Sequence, residues 1–149
     1  MSCCDKFKKS ALDAYSNVSH TYTANNNIIF DSVYILNGES VKFTAGSTTA
    51  NIVKSGLYLV VFSADAVATT AGDIVVQVFR NGVAVPSALA TTTAANTTDT
   101  NNVTIHTLIE VSDVCCPCGA GVSKIPVVIT NTGVDVTITN AKIDIIKLA

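Results

Sequence analysis

From His20 onward, apolar and polar residues alternate in short runs separated by turn residues, the period-two pattern of half-buried strands. In "VDVTITNA", Val134, Val136 and Ile138 alternate with Asp135, Thr137 and Thr139, which gives one dry face and one wet face. "TYTANNNIIFDSVYIL" runs up to Asn37-Gly38, and "SVKFTA" follows. "GDIVVQVFRNGVAVP" is the plainest hairpin, with Asn81-Gly82 as its two-residue turn. Thr91 to Asn102 reads as a loop or a polar edge strand, and "VTIHTLIEVS" comes after it. "IPVVIT", "VDVTITNA" and "KIDIIKLA" read as three closing strands, separated at Thr132-Gly133 and Asn140-Ala141. About eight to ten short strands at hairpin spacing predict an all-β, two-sheet antiparallel jelly-roll sandwich over residues 21–149.

Two stretches break the alternation. After Ser55-Gly56, the run Leu57, Tyr58, Leu59, Val60, Val61 and Phe62 is apolar on both faces. A sandwich offers one inner face per sheet, so the other face of this strand needs separate cover. An identical subunit is the simplest cover; the alternative is the N-terminal segment of the same chain. That segment, residues 1–20, is the second exception. It carries Asp5, Lys6, Lys8, Lys9 and Asp13, and Phe7, Ala11, Ala14 and Val18 recur at spacings of four, three and four. The spacing predicts a short helix with Asp5 as its N-cap, a helical foot ordered by copies of itself or by a docking surface; the alternative is a frayed tail. Phe7, Ala11, Ala14, Val18 and the Leu57–Phe62 run are therefore the expected trimer and anchor contacts.

Composition sharpens this picture. Charged residues are 13% of the chain, hydrophobic residues 48%, and the formal net charge is -2. So little charge points away from nucleic acid and acidic substrates. It also implies a surface of neutral hydroxyls and amides, or cover by other subunits. Valine, threonine and asparagine make up roughly a third of the chain, and the first two fit a pleated surface. No apolar run approaches the roughly 20 residues of a membrane span, so no membrane insertion is expected. The start "MSCCDKFKKSALDAYS" has no secretory apolar core, from which production inside a cell is expected.

The candidate chemistry is confined to cysteines. Cys115, Cys116 and Cys118 cluster in "VSDVCCPCGAGVSKIP", and Cys3 and Cys4 are adjacent near the start. A tetrahedral metal site would need the distant pair to join Cys115 and Cys118. A redox role would need a helix start to activate the thiol, whereas Pro117 and Gly119 form a turn between strands. Cross-links between subunits, or inert surface thiols, remain as alternatives, and an odd count leaves at least one thiol free or paired with another chain. His20, His106 and the scattered aspartates form no catalytic frame, calcium loop or phosphate cradle. The expectation is a non-enzymatic protein without cofactors.

The Ser55-Gly56-Leu57-Tyr58 entry into the long apolar strand, the Asn-Gly-Val-Ala-Val-Pro hairpin and the aliphatic last strand carry a resemblance. The chain resembles the tumour-necrosis-factor-like (TNF-like) jelly rolls at the tips of bacterial collagen-like exosporium glycoproteins. It is also similar to related standalone structural proteins of phages and prophages. The resemblance covers residues from about Ile28 to Ala149 and implies a tight homotrimer. Because no Gly-X-Y stalk is present, it points to a capsid decoration or head-fibre protein on a virion, docked on a major capsid protein or other particle subunit through its N-terminal segment. The alternatives it leaves are a subunit of a bacterial cell or spore surface structure, or a fibre tip that binds a host glycan or receptor.

Overall fold

The structure is a computed structural model, and it describes residues 9–112, 114 and 123–149. Twelve strands follow in chain order: β1 (Ala11–Ser16), β2 (His20–Tyr22), β3 (Asn26–Asn27), β4 (Ser32–Asn37), β5 (Val41–Lys42), β6 (Ala50–Ile52), β7 (Gly56–Ala68), β8 (Gly72–Arg80), β9 (Val83–Ala94), β10 (Asn101–Val111), β11 (Ile125–Asn131) and β12 (Val136–Lys147). They form two antiparallel sheets, as the alternation predicts. The first runs β10-β7-β12-β1-β4 with β2 also on β12; the second runs β5-β6-β11-β8-β9 with β3 also on β11.

The core lies between the sheets. Tyr58, Val60 and Phe62 of β7 face Ile74, Val76 and Val78 of β8 and Ile125, Val127 and Ile129 of β11 within one buried cluster. Phe30 sits edge-on to both Phe62 and Phe43, with ring centroids 6.2 and 6.5 Å apart. Each such pair adds directional packing to the burial term. The predicted Asn81-Gly82 turn has positive φ at both residues, 50° and 79°, the type I′ geometry that suits the twist of the flanking strands. Asn131 is fully buried and acts as an internal clamp. Its amide nitrogen donates to the carbonyls of Val134, Tyr22 and Thr23, and its carbonyl accepts from Gly133 N–H.

Two expectations need correction. Among the described residues there is no helix, and Ala11–Ser16 is strand β1. It pairs with β12 on one side and β4 on the other, so Ala11 and Ala14 belong to the sheet and not to a helical seam. The physical reason is that β12 would otherwise present an open ladder edge beside a hydrophobic core, and pairing β1 there satisfies both strands. Secondly, the closing stretch "VTITNAKIDIIK" is one strand rather than two. Asn140 marks a register shift against β7, so the residue expected to turn the chain bulges it instead. The stretch from Thr91 to Asn102 contains both of the elements expected of it: the edge strand β9 continues to Ala94, residues 95–100 form a loop, and the edge strand β10 begins at Asn101.

Phe62 lies at the centre of the core and touches the Phe30 ring. Truncation by Phe62→Ala is expected to remove about 3–5 kcal/mol of unfolding free energy, read from urea titration. A loss below about 1 kcal/mol would mean that the sheets do not close on this ring as described.

Candidate functional site

The first sheet has a second face, turned away from the core. Strand β7 is next to the edge strand of this sheet, paired along one edge with β10 and along the other with the central strand β12. Its side chains alternate strictly, so Tyr58, Val60 and Phe62 point inward at 0% exposure while Leu57, Leu59 and Val61 point outward and are only half-buried. This corrects the expected contact set: Tyr58, Val60 and Phe62 are consumed by their own core and cannot touch another subunit. Ala14 is likewise fully buried in the core. Ala11 stands on the outward face, and Val18 projects from the loop after β1 at 57% exposure. Phe7 and all five cysteines, Cys3, Cys4, Cys115, Cys116 and Cys118, lie outside the described residues.

Register places the outward residues in rows. Leu59 stands between Leu108 of β10 and Ile146 of β12, and Ile146 meets Ala11 of β1. Beside this row, Leu57 is opposite Glu110, and Leu148 hydrogen-bonds the Leu57 carbonyl through its N–H. Leu108 and Leu148 are 57% and 51% exposed, unusual for leucines standing side by side with other aliphatics. The next row reads His106, Val61, Asp144, Asp13, Ile35 across β10, β7, β12, β1 and β4. Beyond it come Thr104, Ser63, Lys142 and Tyr15, then Asn102, Asp65 and Asn140. The face is thus aliphatic towards one end and polar towards the other.

The charges at the boundary are linked. Lys142 Nζ lies 3.2 Å from Asp13 Oδ2 and 3.7 Å from Asp144 Oδ2. Burial, reinforced by the neighbouring Asp13 charge, pushes the Asp144 carboxyl above the usual carboxylate value, and Lys142 only partly offsets this. The hydrogen bond to Asp13, with the field of both carboxylates, holds Lys142 above the ordinary lysine value. A shallow groove of about 560 Å³ opens over this polar end, lined among others by Asp13, Tyr15, Tyr34, Asp65 and Lys142. Tyr34 on the edge strand β4 is 76% exposed there.

A second polar cluster holds the loop between β1 and β2. Ser16 donates its hydroxyl to Asp31 Oδ2, and His20 Nε2 lies 2.8 Å from the same oxygen. The carboxylate stands between serine and histidine. A hydroxyl nucleophile needs the reverse order, with histidine bonded directly to it. The arrangement is a clamp that ties β1 and β2 to the segment before β4.

Sequence reasoning found the outward leucines and valine of β7 through their unbroken apolar run. It missed Leu108, Ile146 and Leu148, each of which interrupts or ends an alternating strand on its wet side. It also missed the Asp13–Lys142–Asp144 group. "KIDI" puts Lys142 and Asp144 on one face, but nothing local brings Asp13 beside them.

No family model and no curated protein matches the sequence. Solved structures do match along nearly its whole length. The globular domain of zebrafish complement 1qA protein superposes with a TM-score of 0.69 at 10% identity, covering 94% of this chain and 98% of that one. Murine APRIL gives 0.64 at 13% identity over 95% and 100%. PRD1 vertex protein P5 gives 0.56 at 18% identity over 94% and 97%. The fold is a TNF-like jelly roll.

Asp31 is held below its ordinary value of 3.8, first by the Ser16 hydrogen bond and then by His20. The folded state therefore binds this proton more weakly than the unfolded chain, so its stabilisation is present above the unfolded value and is lost as pH falls through the folded one. The wild-type melting temperature is expected to drop more steeply than that of Asp31→Asn on acidification from about pH 5 to pH 2.5. Parallel curves would contradict a stabilising clamp.

Proposed function

We propose that this chain is a non-enzymatic structural subunit that closes into a homotrimer through the outward face of its β10-β7-β12-β1-β4 sheet and decorates a bacteriophage capsid. The observation that carries the reading is the half-wet aliphatic patch formed by Leu57, Leu59, Leu108, Ile146 and Leu148 across β10, β7 and β12 at one end of that sheet. Left in water, each such side chain forgoes about 25 cal/mol for every Å² of apolar surface that association would cover. Residues 9–16 do not provide the cover, because they are built into the same sheet as β1 and its lead-in.

The likeness to a phage vertex protein supports a place on a virion surface. In this reading the docking segment is the stretch ahead of β1, shorter than the helical foot expected from sequence, and the partner is a major capsid protein or another particle subunit. The cysteines retain their role as cross-link candidates between subunits. The same architecture would serve a bacterial cell or spore surface structure, which is the alternative. A second reading, a glycan- or receptor-binding tip, has one observation behind it: Tyr34 stands exposed beside Tyr15 over the polar groove. Exposed aromatic rings next to carboxylates and amides suit sugar faces and hydroxyls.

Two measurements test this. Sedimentation at micromolar concentration should give a species of about three times 15.5 kDa, and Leu108→Asp, at an exposed position, should weaken it on the order of a hundredfold while the separated subunit keeps the β-sheet circular dichroism of the wild type. A wild-type monomer would reject the trimer. Cryo-electron microscopy of virions from the producing host should show trimeric knobs that vanish when the gene is deleted. Unchanged virions, with the protein found on spores or the cell surface, would favour the appendage.

A further inference from the structure

We infer that assembly through this sheet face is coupled to proton uptake by the Asp13–Asp144 carboxylate pair, so that mild acid tightens the trimer. The inference rests on the trimer reading above and concerns its regulation. Asp13 and Asp144 are direct partners on adjacent strands, and both point outward. Their side chains are already no more than 27% exposed. Val61 flanks the pair on β7 and Ile35 on β4, and the aliphatic row of Leu59, Ile146 and Ala11 lies alongside. A second copy that covers the leucines must therefore also take water away from the carboxylates.

The charges facing the pair do not balance. On β12 itself there is Lys142, bonded to both carboxylates. From β1 come Asp13 and Tyr15; from β7, Asp65, two rows away; from β4, Tyr34; and from β10, beyond β7, His106 and Glu110. Two carboxylates and one ammonium leave one net negative charge at the site, and Asp65 adds to it. A net charge buried without a partner is costly. The pair can avoid that cost by taking one proton from solvent onto a carboxylate oxygen of Asp144. The new O–H donates to Asp13, Asp13 keeps its bond to Lys142, and the triad becomes neutral. No bond is broken and no other reactant is needed. The upward displacement of the Asp144 carboxyl in the single chain has the same direction and the same cause, burial beside a like charge.

The linkage sign follows. The trimer binds more protons than three separate subunits, so association strengthens as pH falls. With one proton per subunit, the logarithm of the trimer association constant changes by up to about three for each pH unit inside the titration window.

The test is sedimentation equilibrium of the full chain at about pH 7.5, 6.5 and 5.5 in constant salt. For the wild type, the concentration at half-dissociation should fall at least about tenfold across this range. Asp144→Asn should be as tightly associated at the high pH as the wild type at the low one, with its pH dependence lost; Asp13→Asn should do the same from the other strand. Asp99→Asn, in the loop before β10, makes the same change in net charge away from the face. It should keep the wild-type dependence, which separates the pair from a general approach to the isoelectric point near 5.5. His106→Gln should keep it as well. A trimer whose affinity is flat with pH overturns the inference and leaves the trimer reading standing, and so does loss of the dependence in Asp99→Asn or His106→Gln. A monomer at every pH overturns the trimer reading and the inference with it.

Discussion

Strand β7 is held from three sides and apolar on the fourth. Its two edges are hydrogen-bonded to β10 and β12, and its inward face supplies Tyr58, Val60, Phe62, Ala64, Ala66 and Ala68 to the core. Its outward face supplies Leu57, Leu59 and Val61 and then changes character at Ser63 and Asp65. A strand of this kind has no polar side along its first half, yet its outward side chains are only half-buried. The rest of the molecule follows from that: the neighbours that complete its ladder bring Leu108, Ile146 and Leu148 onto the same surface, and the aliphatic patch they form is what a second copy would cover.

The chain has few charges, and their placement is informative. Much of the second sheet's outer surface is hydroxyl and amide, with Thr91, Thr93, Gln77 and Asp73 on β8 and β9, where Thr93 donates to the Asp73 carboxylate. The first sheet instead sets Asp13, Asp144 and Lys142 at the margin of its apolar half. Charge next to a surface that association would dry is more consequential than charge on an open one, because its energy depends on whether the partner is present.

Much of the fold could be read from the chain. The Asn81-Gly82 hairpin, the long apolar strand and the alternation in "VDVTIT" are local signals whose physics is local too. The N-terminal segment misled because alanine suits either period. Ala11, Ala14 and Val18 fit a helix, while Leu12, Ala14 and Ser16 fit the buried side of a strand. What decided between them was the unpaired edge of β12, which no local window contains. The closing strand misled in the opposite way: Asn140 carries turn chemistry, yet pairing on both sides of β12 carries the chain straight through it. The apolar run marked a strand with apolar residues on both faces but not which of them face the core, and Tyr58, Val60 and Phe62 proved to be core. The carboxylate pair was out of reach, since its members meet only when the first and last strands lie side by side.

The most direct test of the central idea, that the outward face of β7 is closed by copies of the same chain, is an experimental structure of the purified protein in its assembled state. The account predicts a threefold axis on this face, with Leu59, Leu108 and Ile146 losing nearly all their exposure to the neighbouring subunits. An assembly built on the opposite sheet or on the sandwich ends, with those three side chains still in water, would contradict it.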